Sequence, residues 1–301
     1  MREIQLVARI RKLAQTSSPQ PSIIKGIGDD CAVMRPRAAE DLVFTTDFVL
    51  EGRHFTLDTH SPGDIGHKAL ARSLSDLAAM GAEPVFCLVS LAFPGQLAGA
   101  WVNNFYKALV ALATRFNMTL AGGDLSRFEK VVADVICCGR VPRGKALLRN
   151  GAKPKDGIFV TGELGGSAHG LAAKRGPAWR RHLRPEPRVA AGLALRTLGV
   201  SAAMDLSDGL SLDLHRLCLE SNVSATIDSA IPISHGATLE QALHGGEDYE
   251  LLFTASPRKR VPSKIGDLPV TQIGVIRHAD RPGTVLFQGR RLHSGGFDHF
   301  A

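Results

Sequence analysis

Apolar segments short enough to be buried strands alternate with helical stripes along the whole chain, and this alternation restricts its fold more than any other feature. Leu6, Ile10 and Leu13 recur at helical spacing, whereas residues 41–47 (DLVFTTD) form an apolar run of strand length that ends at an acidic residue. Because helices and strands mix in both halves, we expect an α+β (mixed α/β) fold. Further helices are predicted over 64–80, 101–116, 167–174, 188–198 and 210–221, and further strands over 85–93, 131–141, 157–161, 225–227 and 251–254.

The length of 301 residues favours two domains, at about 150 residues for each domain. A stretch rich in glycine, lysine and proline, residues 142–156, follows the predicted strand 131–141 and has the composition of a domain boundary. We therefore predict an N-terminal domain over residues 1–141 and a C-terminal domain over residues 142–301.

Composition and charge narrow the class of protein. The longest apolar run, residues 85–93, is far shorter than the roughly 20 residues of a membrane helix, and the N-terminus is charged throughout. The five cysteines include no CxxC pair, so neither a disulfide framework nor a zinc site is indicated. The net charge is +7, but basic and aromatic residues do not interleave and aromatic residues make up only 6% of the chain. We expect a cytoplasmic protein that binds neither membrane nor nucleic acid.

Aspartates lie among glycine, serine and threonine at the predicted ends of apolar runs. Taken alone, each fits a helix cap or an Asx turn. Together they suggest a cluster, in which two carboxylates 4 Å apart repel by about 4 kcal/mol at an effective dielectric near 20 and need cations to offset the repulsion. Carboxylate and hydroxyl ligands favour magnesium, and magnesium beside glycine-rich loops suggests phosphoryl chemistry. The five motifs are Gly28-Asp29-Asp30, Thr45-Thr46-Asp47, Ser75-Asp76, Gly122-Gly123-Asp124 and Asp205-Leu206-Ser207-Asp208-Gly209.

The common nucleotide-binding motifs do not fit this sequence. Residues 139–146 (GRVPRGKA) approach the P-loop pattern, but they lack the Ser or Thr that holds magnesium, and Pro142 removes a backbone donor. The HRD and DFG motifs of protein kinases are absent. Gly26-Ile27-Gly28 continues into two aspartates rather than a third glycine, which argues against a dinucleotide fingerprint.

A set of motifs, taken in order along nearly the whole chain, resembles the thiamine-monophosphate kinase family of the aminoimidazole-ribonucleotide-synthetase-like ATP-binding superfamily. The blocks SDLAAMGA (75–82) and GGEDYEL (245–251) are the most specific. The other motifs are Gly26-Ile27-Gly28-Asp29-Asp30, Thr45-Thr46-Asp47, Glu51-Gly52, His54-Phe55, Gly122-Gly123-Asp124, Thr161-Gly162, Met204-Asp205-Leu206-Ser207-Asp208-Gly209-Leu210 and Gly296-Phe297-Asp298-His299-Phe300.

The resemblance implies ATP-dependent phosphorylation of thiamine monophosphate to thiamine diphosphate, with several Mg²⁺ ions and ATP as co-substrate. It implies an N-terminal domain with a mixed sheet that binds ATP and magnesium, and a C-terminal α/β domain that completes the ATP and substrate sites. The magnesium ligands it implies are Asp30, Thr45, Thr46, Asp47, Asp76, Asp124, Asp205 and Asp208. The ATP contacts are Gly123, Asp124, Arg149 and Ser207, and the substrate contacts are His54, Glu247 and Phe297. The carboxylates expected to be catalytic are Asp30, Asp47, Asp76, Asp124 and Asp208.

The resemblance also implies a homodimer built through strands of the N-terminal domain. The apolar strands around Val43 and over residues 131–141 are candidates to cover each other's edges. The chemistry expected is direct in-line transfer between ATP and the substrate phosphate, with no phosphoenzyme.

Other functions remain open at this point. Selenophosphate synthetases of the same superfamily are expected to carry a catalytic cysteine or selenocysteine near the N-terminus, whereas the first cysteine here is Cys31. Hydrogenase-maturation dehydratases use a C-terminal cysteine, whereas this chain ends in His299-Phe300-Ala301. A non-catalytic nucleotide-binding scaffold is a third possibility, but a scaffold has no need of so many mutually repelling carboxylates.

Overall fold

The computed structural model describes residues 3–15, 21–25, 27, 32–279 and 281–297. The chain forms two compact units, one comprising Met1–Leu77 and Ala82–Gly144 and the other comprising Ala78–Gly81 and Lys145–Ala301. The division along the chain thus falls after Gly144, while the composition placed it after residue 141. The short segment Ala78–Gly81 groups with the second unit because its carbonyls accept hydrogen bonds there: Met80 from the Leu147 N–H at 3.0 Å and Gly81 from Arg196 at 2.6 Å.

The first unit is built on a four-stranded mixed sheet with strand order β3-β6-β4-β5. Strand β6 is antiparallel to both β3 and β4, and β5 pairs with β4 in parallel. A separate two-stranded sheet pairs β1 with β2. The elements are α1 (Glu3–Ala14), β1 (Ile23–Lys25), β2 (Val33–Met34), β3 (Glu40–Leu50), α2 (Pro62–Ala79), β4 (Glu83–Phe93), a 3-10 turn (Gly95–Leu97), α3 (Ala100–Arg115), β5 (Thr119–Arg127) and β6 (Val132–Pro142).

The two faces of this sheet differ in burial. Helix α2 packs on one face, where the Ser73 hydroxyl donates to the Val135 carbonyl at 3.0 Å and Leu74 is fully buried. On the other face Phe44 and Phe48 of β3 are 62% and 56% exposed. Strand β3 therefore has one face in the core and one open face, and its side chains alternate between them.

Three sequence predictions about this sheet were wrong. Strand β3 does not end at Asp47 but continues to Leu50, and Gly122-Gly123-Asp124 lies within strand β5 rather than at a strand end. Strand β6 was a candidate edge strand, but it lies between β3 and β4, so it has no free edge. Strand β3 is an edge strand, as the prediction requires.

The second unit contains an eight-stranded sheet with the path β14-β13-β9-β12-β7-β10-β8 and with β11 paired to β12. All pairings are antiparallel except that of β13 with β9. The elements are β7 (Gly157–Thr161), α4 (Gly166–Ala173), α5 (Gly176–Leu183), α6 (Val189–Leu198), β8 (Ala202–Asp205), α7 (Leu210–Glu220), β9 (Ser224–Ile227), α8 (Leu239–His244), β10 (Leu251–Ala255), β11 (Lys264–Ile265), β12 (Leu268–Arg277), β13 (Val285–Phe287) and β14 (Arg290–Arg291).

The core of the second unit forms between helix α7 and the sheet. Leu210, Leu214 and Leu217 recur at helical spacing and are buried with Val160 of β7 and Ile273 of β12. The mixed α/β class predicted from the sequence is confirmed in both units. Among the described residues, none of the helices has the length and apolar character needed to cross a membrane.

Candidate active-site residues

Strand β3 and helix α2 bring three of the predicted magnesium ligands together. Thr45 and Asp47 are alternate residues of β3 on the face that α2 covers, and the Thr45 hydroxyl donates to the Asp76 carboxylate of α2. Arg72, one helical turn before Asp76, lies 3.5 Å from the Asp47 carboxylate. Thr45, Asp47 and Asp76 thus form one acidic group, and Arg72 is its basic neighbour at Asp47.

Burial is the main reason that the pKa of Asp47 is raised from 3.8 to about 7, and the charge of Asp76 adds to the effect. Arg72 and a hydrogen bond from Ser73 lower this pKa, but they do not compensate. Two carboxylates that resist joint ionisation are stabilised by a divalent cation, and oxygen ligands of this kind suit magnesium. The donor set of Thr45, Asp47 and Asp76 therefore fits the expected metal.

Thr46 lies on the opposite face of the sheet from its neighbours. Its hydroxyl donates to the carboxylate of Asp134 in β6 rather than to Asp47 or Asp76. The cause is the pleat of β3, which sends successive side chains to opposite faces. The side chain of Thr46 is thus separated from the acidic group, and its carbonyl is the atom through which it could contribute to a metal site there.

Gly123 and Asp124 lie on the edge strand β5, away from the acidic group. Strands β6 and β4 stand between β3 and β5, and three strand spacings of about 4.8 Å separate Asp47 from Gly123 by about 14 Å. A single ion cannot bridge that distance. Within the described part of the chain, no group of three or more His, Cys, Asp or Glu side chains is close enough to hold a metal ion.

Gly123 has a structural reason to be glycine. Its φ is +150°, and a Cβ atom built on it would lie 2.0 Å from the carbonyl oxygen of Val89 in β4.

The side chain of Asp124, the next residue of β5, is exposed. Tyr106 of α3 is buried and senses the charge of Asp124, which adds to the effect of burial in raising the pKa of Tyr106.

His54 is held by the turn that follows β3. The Leu50 N–H donates to its Nδ1 at 3.0 Å, so the neutral ring carries its proton on Nε2. Its carbonyl accepts a hydrogen bond from the fully buried Lys68 of α2 at 3.4 Å. A ring fixed in this tautomer can donate from Nε2 to an anionic ligand. The predicted ligand Asp30 lies outside the described residues.

In the second unit, the end of β8 and the turn after it bring five of the predicted residues together. Asp205 ends β8 and is buried, and Ser207 and Asp208 follow it. The Ser207 carbonyl accepts from the Glu247 N–H at 2.8 Å, and the Asp208 carbonyl accepts from the Phe297 N–H at 3.0 Å. The backbone therefore places the predicted substrate residues Glu247 and Phe297 directly beside the predicted ATP and metal residues Ser207 and Asp208.

Helix α7 fixes the Asp208 turn. The buried carboxylate of Asp213 accepts the N–H groups of Asp208 at 3.0 Å and Gly209 at 3.1 Å, and burial raises the pKa of Asp213 to about 6. Arg216 donates to the Asp208 carboxylate and, at 3.3 Å, to that of Asp213. Asp208 is thus partly neutralised by a guanidinium, an interaction that the sequence analysis did not anticipate.

Arg149 lies in the exposed segment that runs beside the start of β8. The Ala203 N–H of β8 donates to the Leu148 carbonyl at 3.0 Å, and the Ser221 hydroxyl donates to the Arg149 carbonyl at 2.6 Å. These bonds fix the backbone while the Arg149 side chain remains exposed. A permanently charged, planar donor in this position can bind phosphate oxygens.

The remaining acids of the GGEDYEL block are structural. Glu250 is fully buried and pairs with Arg188, with Nη2 to Oε1 at 2.5 Å and Nε to Oε2 at 2.9 Å. The Thr161 hydroxyl donates to Glu250 at 2.7 Å, and a Cβ on Gly162 would lie 2.2 Å from the same carboxylate. The Thr161-Gly162 motif thus accommodates the buried Glu250 carboxylate: Thr161 donates a hydrogen bond to it, and Gly162 leaves room for it.

Comparisons with known proteins match both units. The AIR synthase related protein N-terminal domain model matches residues 28–141, and the corresponding C-terminal domain model matches residues 153–286. The thiamine-monophosphate kinase of Salmonella typhimurium is 39% identical, over 99% of this chain and 98% of that protein. The crystal structure of thiamine-monophosphate kinase from Stenotrophomonas maltophilia K279a aligns with a TM-score of 0.85 at 38% identity, over 97% of this chain and 98% of that chain. The structure of AaThiL complexed with AMPPCP and TMP aligns with a TM-score of 0.80 at 31% identity, over 100% and 99%.

Proposed function

Because this chain belongs to the thiamine-monophosphate kinase family, we propose that it transfers the γ-phosphoryl group of ATP to the phosphate of thiamine monophosphate, giving thiamine diphosphate and ADP. The enzyme is then a phosphotransferase with a phosphate as acceptor. The observation that carries the proposal is the full-length likeness to AaThiL, which has been solved with AMPPCP and TMP bound. The geometry supports it, because each unit holds its share of the expected acidic and substrate residues.

We assign magnesium binding in the first unit to Asp30, Asp47, Asp76 and Asp124 with Thr45 and Thr46, and in the second unit to Asp205 and Asp208. Bound magnesium supplies charge neutralisation between the phosphates of donor and acceptor. The chain's own contribution is to hold the carboxylates in place. Thr45 orients Asp76, and the two N–H donors to Asp213 fix the turn that carries Asp208.

We assign the binding of ATP and thiamine monophosphate to residues whose charge or ring chemistry suits each ligand. Gly123, Asp124, Arg149 and Ser207 are assigned to ATP. Arg149 presents a permanent positive charge to the phosphates, and Phe297, 42% exposed, presents a flat apolar ring to an aromatic heterocycle. Glu247 offers a carboxylate to the cationic thiazolium, and His54 donates from Nε2 to the substrate phosphate.

The mechanism needs no protein nucleophile and no general base. A phosphate monoester has a second pKa of about 6, so the accepting oxygen is already anionic at neutral pH. His54 has Nδ1 engaged by the Leu50 N–H and a proton on Nε2, which makes the ring a hydrogen-bond donor rather than a phosphate carrier. The four carboxylates Asp47, Asp76, Asp124 and Asp208, together with Asp30, serve the reaction through the metal.

ADP formation from ATP, measured with and without thiamine monophosphate, tests the function. We expect turnover that depends on the substrate and on magnesium. Asp76→Asn should lower kcat by at least about 100-fold, because one carboxylate of the acidic group is lost. Asp134→Asn, on the opposite face of the same sheet, is the control and should stay near wild type. A nucleotide-binding scaffold would bind ATP without turnover, which would refute the proposal.

We also propose that the protein is a homodimer, formed through β3 and the open face of the first sheet. Phe44 and Phe48 support this, because two neighbouring aromatic side chains more than half exposed on one strand face are costly in water. The edge of β3 supplies unpaired backbone groups for the same contact. Consumption of ATP agrees with the cytoplasmic location expected from the sequence.

A further inference from the structure

Helix α5 places a buried histidine against the predicted substrate carboxylate Glu247. His182 is 2% exposed, and its Nδ1 lies 2.9 Å from the Ser167 hydroxyl and 3.5 Å from Glu247 Oε2. The ring stacks on Trp179, with ring centroids 5.2 Å apart and an interplanar angle of 13°. The ring can therefore hardly rotate, and the atom it presents to both oxygens is Nδ1.

The backbone of Glu247 is held in an uncommon conformation. Its φ is +63°, in the left-handed region that non-glycine residues rarely adopt. The next residue, Asp248, is buried and accepts the N–H groups of Gly165 at 2.5 Å and Ser167 at 3.0 Å. Backbone strain of this kind persists only where the surroundings fix it, and it concentrates at functional sites.

The same helix fixes the segment a second time. Arg181, adjacent to His182, donates to the Glu163 carbonyl at 2.7 Å and to Glu250 at 3.2 Å, and it lies 3.6 Å from Asp248. Arg181 and His182 of α5 thus contact all three acidic residues of the segment 247–250. The Arg181 contacts reach fully buried or nearly buried acids, whereas the side chain of Glu247 is 21% exposed. Glu247 is therefore the member of the segment that solvent and a ligand can reach.

We propose that His182 is a positioning residue for substrate binding: with its proton on Nδ1 and the Ser167 hydroxyl accepting from it, the ring keeps the Glu247 carboxylate, 3.5 Å from Nδ1, in the orientation that receives the cationic part of thiamine monophosphate. This inference rests on the proposed function. Preorganisation of a charged group saves the cost of ordering it when the ligand binds. The role belongs to the recognition of the acceptor and not to the binding of ATP.

His182→Phe tests the role, because phenylalanine keeps a flat ring beside Trp179 but removes Nδ1. We expect its KM for thiamine monophosphate to rise about tenfold, because Glu247 loses a polar neighbour that orients its charge, while kcat and the KM for ATP stay within about twofold. His182→Asn places an amide near the position of Nδ1 and should recover most of the affinity. Ser167→Ala keeps the backbone bond to Asp248 and should raise the same KM more mildly.

Controls separate this role from a merely structural one. His215→Phe removes another partly buried ring whose Nδ1 contacts a carbonyl, that of Gly283, and it should leave all three constants unchanged. Thermal unfolding establishes that each variant is folded, and Ser167→Ala with His182→Asn carries the test if His182→Phe is not. Equal increases in the KM values for thiamine monophosphate and for ATP would overturn the inference, and so would a His182→Asn variant that does not recover the affinity. Turnover by the wild-type protein would still support the proposed function in either case. If the wild-type protein does not phosphorylate thiamine monophosphate, both the proposed function and this inference are wrong.

Discussion

At Asp47, burial and the charge of Asp76 act in the same direction on one carboxyl group. The pKa of 3.8 expected in the unfolded chain rises to about 7 in the folded protein, so the folded state binds this proton more tightly. This tighter proton binding contributes to the free energy of unfolding: the contribution is complete below about pH 4 and is lost as the pH rises toward 7. Without a bound cation, Asp47 in the folded protein therefore either holds a proton or, as the pH rises above about 7, carries an unfavourable charge.

Asp47→Asn should remove this cost. In EDTA at pH 8 we expect its free energy of unfolding to exceed that of wild type by about 1–2 kcal/mol, less than the pKa shift alone implies, because Arg72 loses its partner. The gain should shrink as the pH falls from 7 to 4, because the folded protein then holds the proton on Asp47 and the unfolded chain approaches its own pKa of 3.8. Urea unfolding at pH 4, 6 and 8 measures it, with Asp134→Asn as the control. A gain that is independent of pH would contradict the assignment.

Residue chemistry was more predictable from the sequence than residue placement. The acids of the TTD, SDLAAMGA and DLSDG motifs have the side chains that a phosphoryl-transfer site requires, and Thr45, Asp47 and Asp76 do meet. The direction of Thr46 opposite to Thr45 and Asp47 follows from side-chain alternation along the predicted strand, but the ligand set implied by the resemblance did not take that alternation into account. His182 could not be identified from the sequence, because its proposed role depends on neighbours distant in the sequence.

Among the secondary-structure elements, most helices and strands with a clear apolar pattern were predicted, and glycine or proline interrupts two of the strands that were missed. Helices α2, α3 and α7 and strands β4 and β7 lie within three residues of the predicted bounds. Strand β5 (TLAGGDLSR) was missed because two glycines weaken its strand propensity, and β12 (LPVTQIGVIR) carries both proline and glycine. Helix α5 (GPAWRRHL) is short and strongly basic, so its pattern resembles that of a loop.

Strand β5 offers a prediction about its own pairing. Gly123→Ala would place a Cβ atom 2.0 Å from the Val89 carbonyl in addition to the strain of φ +150°, and we expect a loss of about 3 kcal/mol in the free energy of unfolding. Gly99→Ala is a matched control, because its φ is +149° but no atom lies within 4 Å of the added Cβ. It should lose about 1 kcal/mol. Equal losses in urea unfolding would show that the contact with β4 does not matter.

On the scale of the whole molecule, the exposed aromatic side chains of β3 determine the expected assembly. Light scattering at micromolar concentration should give twice the chain mass of 32.2 kDa, about 64 kDa. Phe48→Asp introduces a charge on the open face and should give the mass of a single chain. Leu171→Asp, at a 49% exposed leucine of α4 in the second unit, should remain dimeric. A monomeric wild type would refute the assembly.

The state of three potential nucleophiles, His54, Cys87 and Cys218, bears on the course of the reaction. The contacts of His54 leave its ring a donor, and the buried thiols of Cys87 and Cys218 have pKa values raised to about 12 by burial, so neither is a ready nucleophile. Direct transfer from ATP to the acceptor phosphate should therefore invert the configuration of a chiral γ-phosphorus, since one displacement inverts and two displacements retain. ATP alone should leave no label on the protein. Retention of configuration, or a phosphohistidine trapped at His54, would require a phosphoenzyme and a different reading of the site.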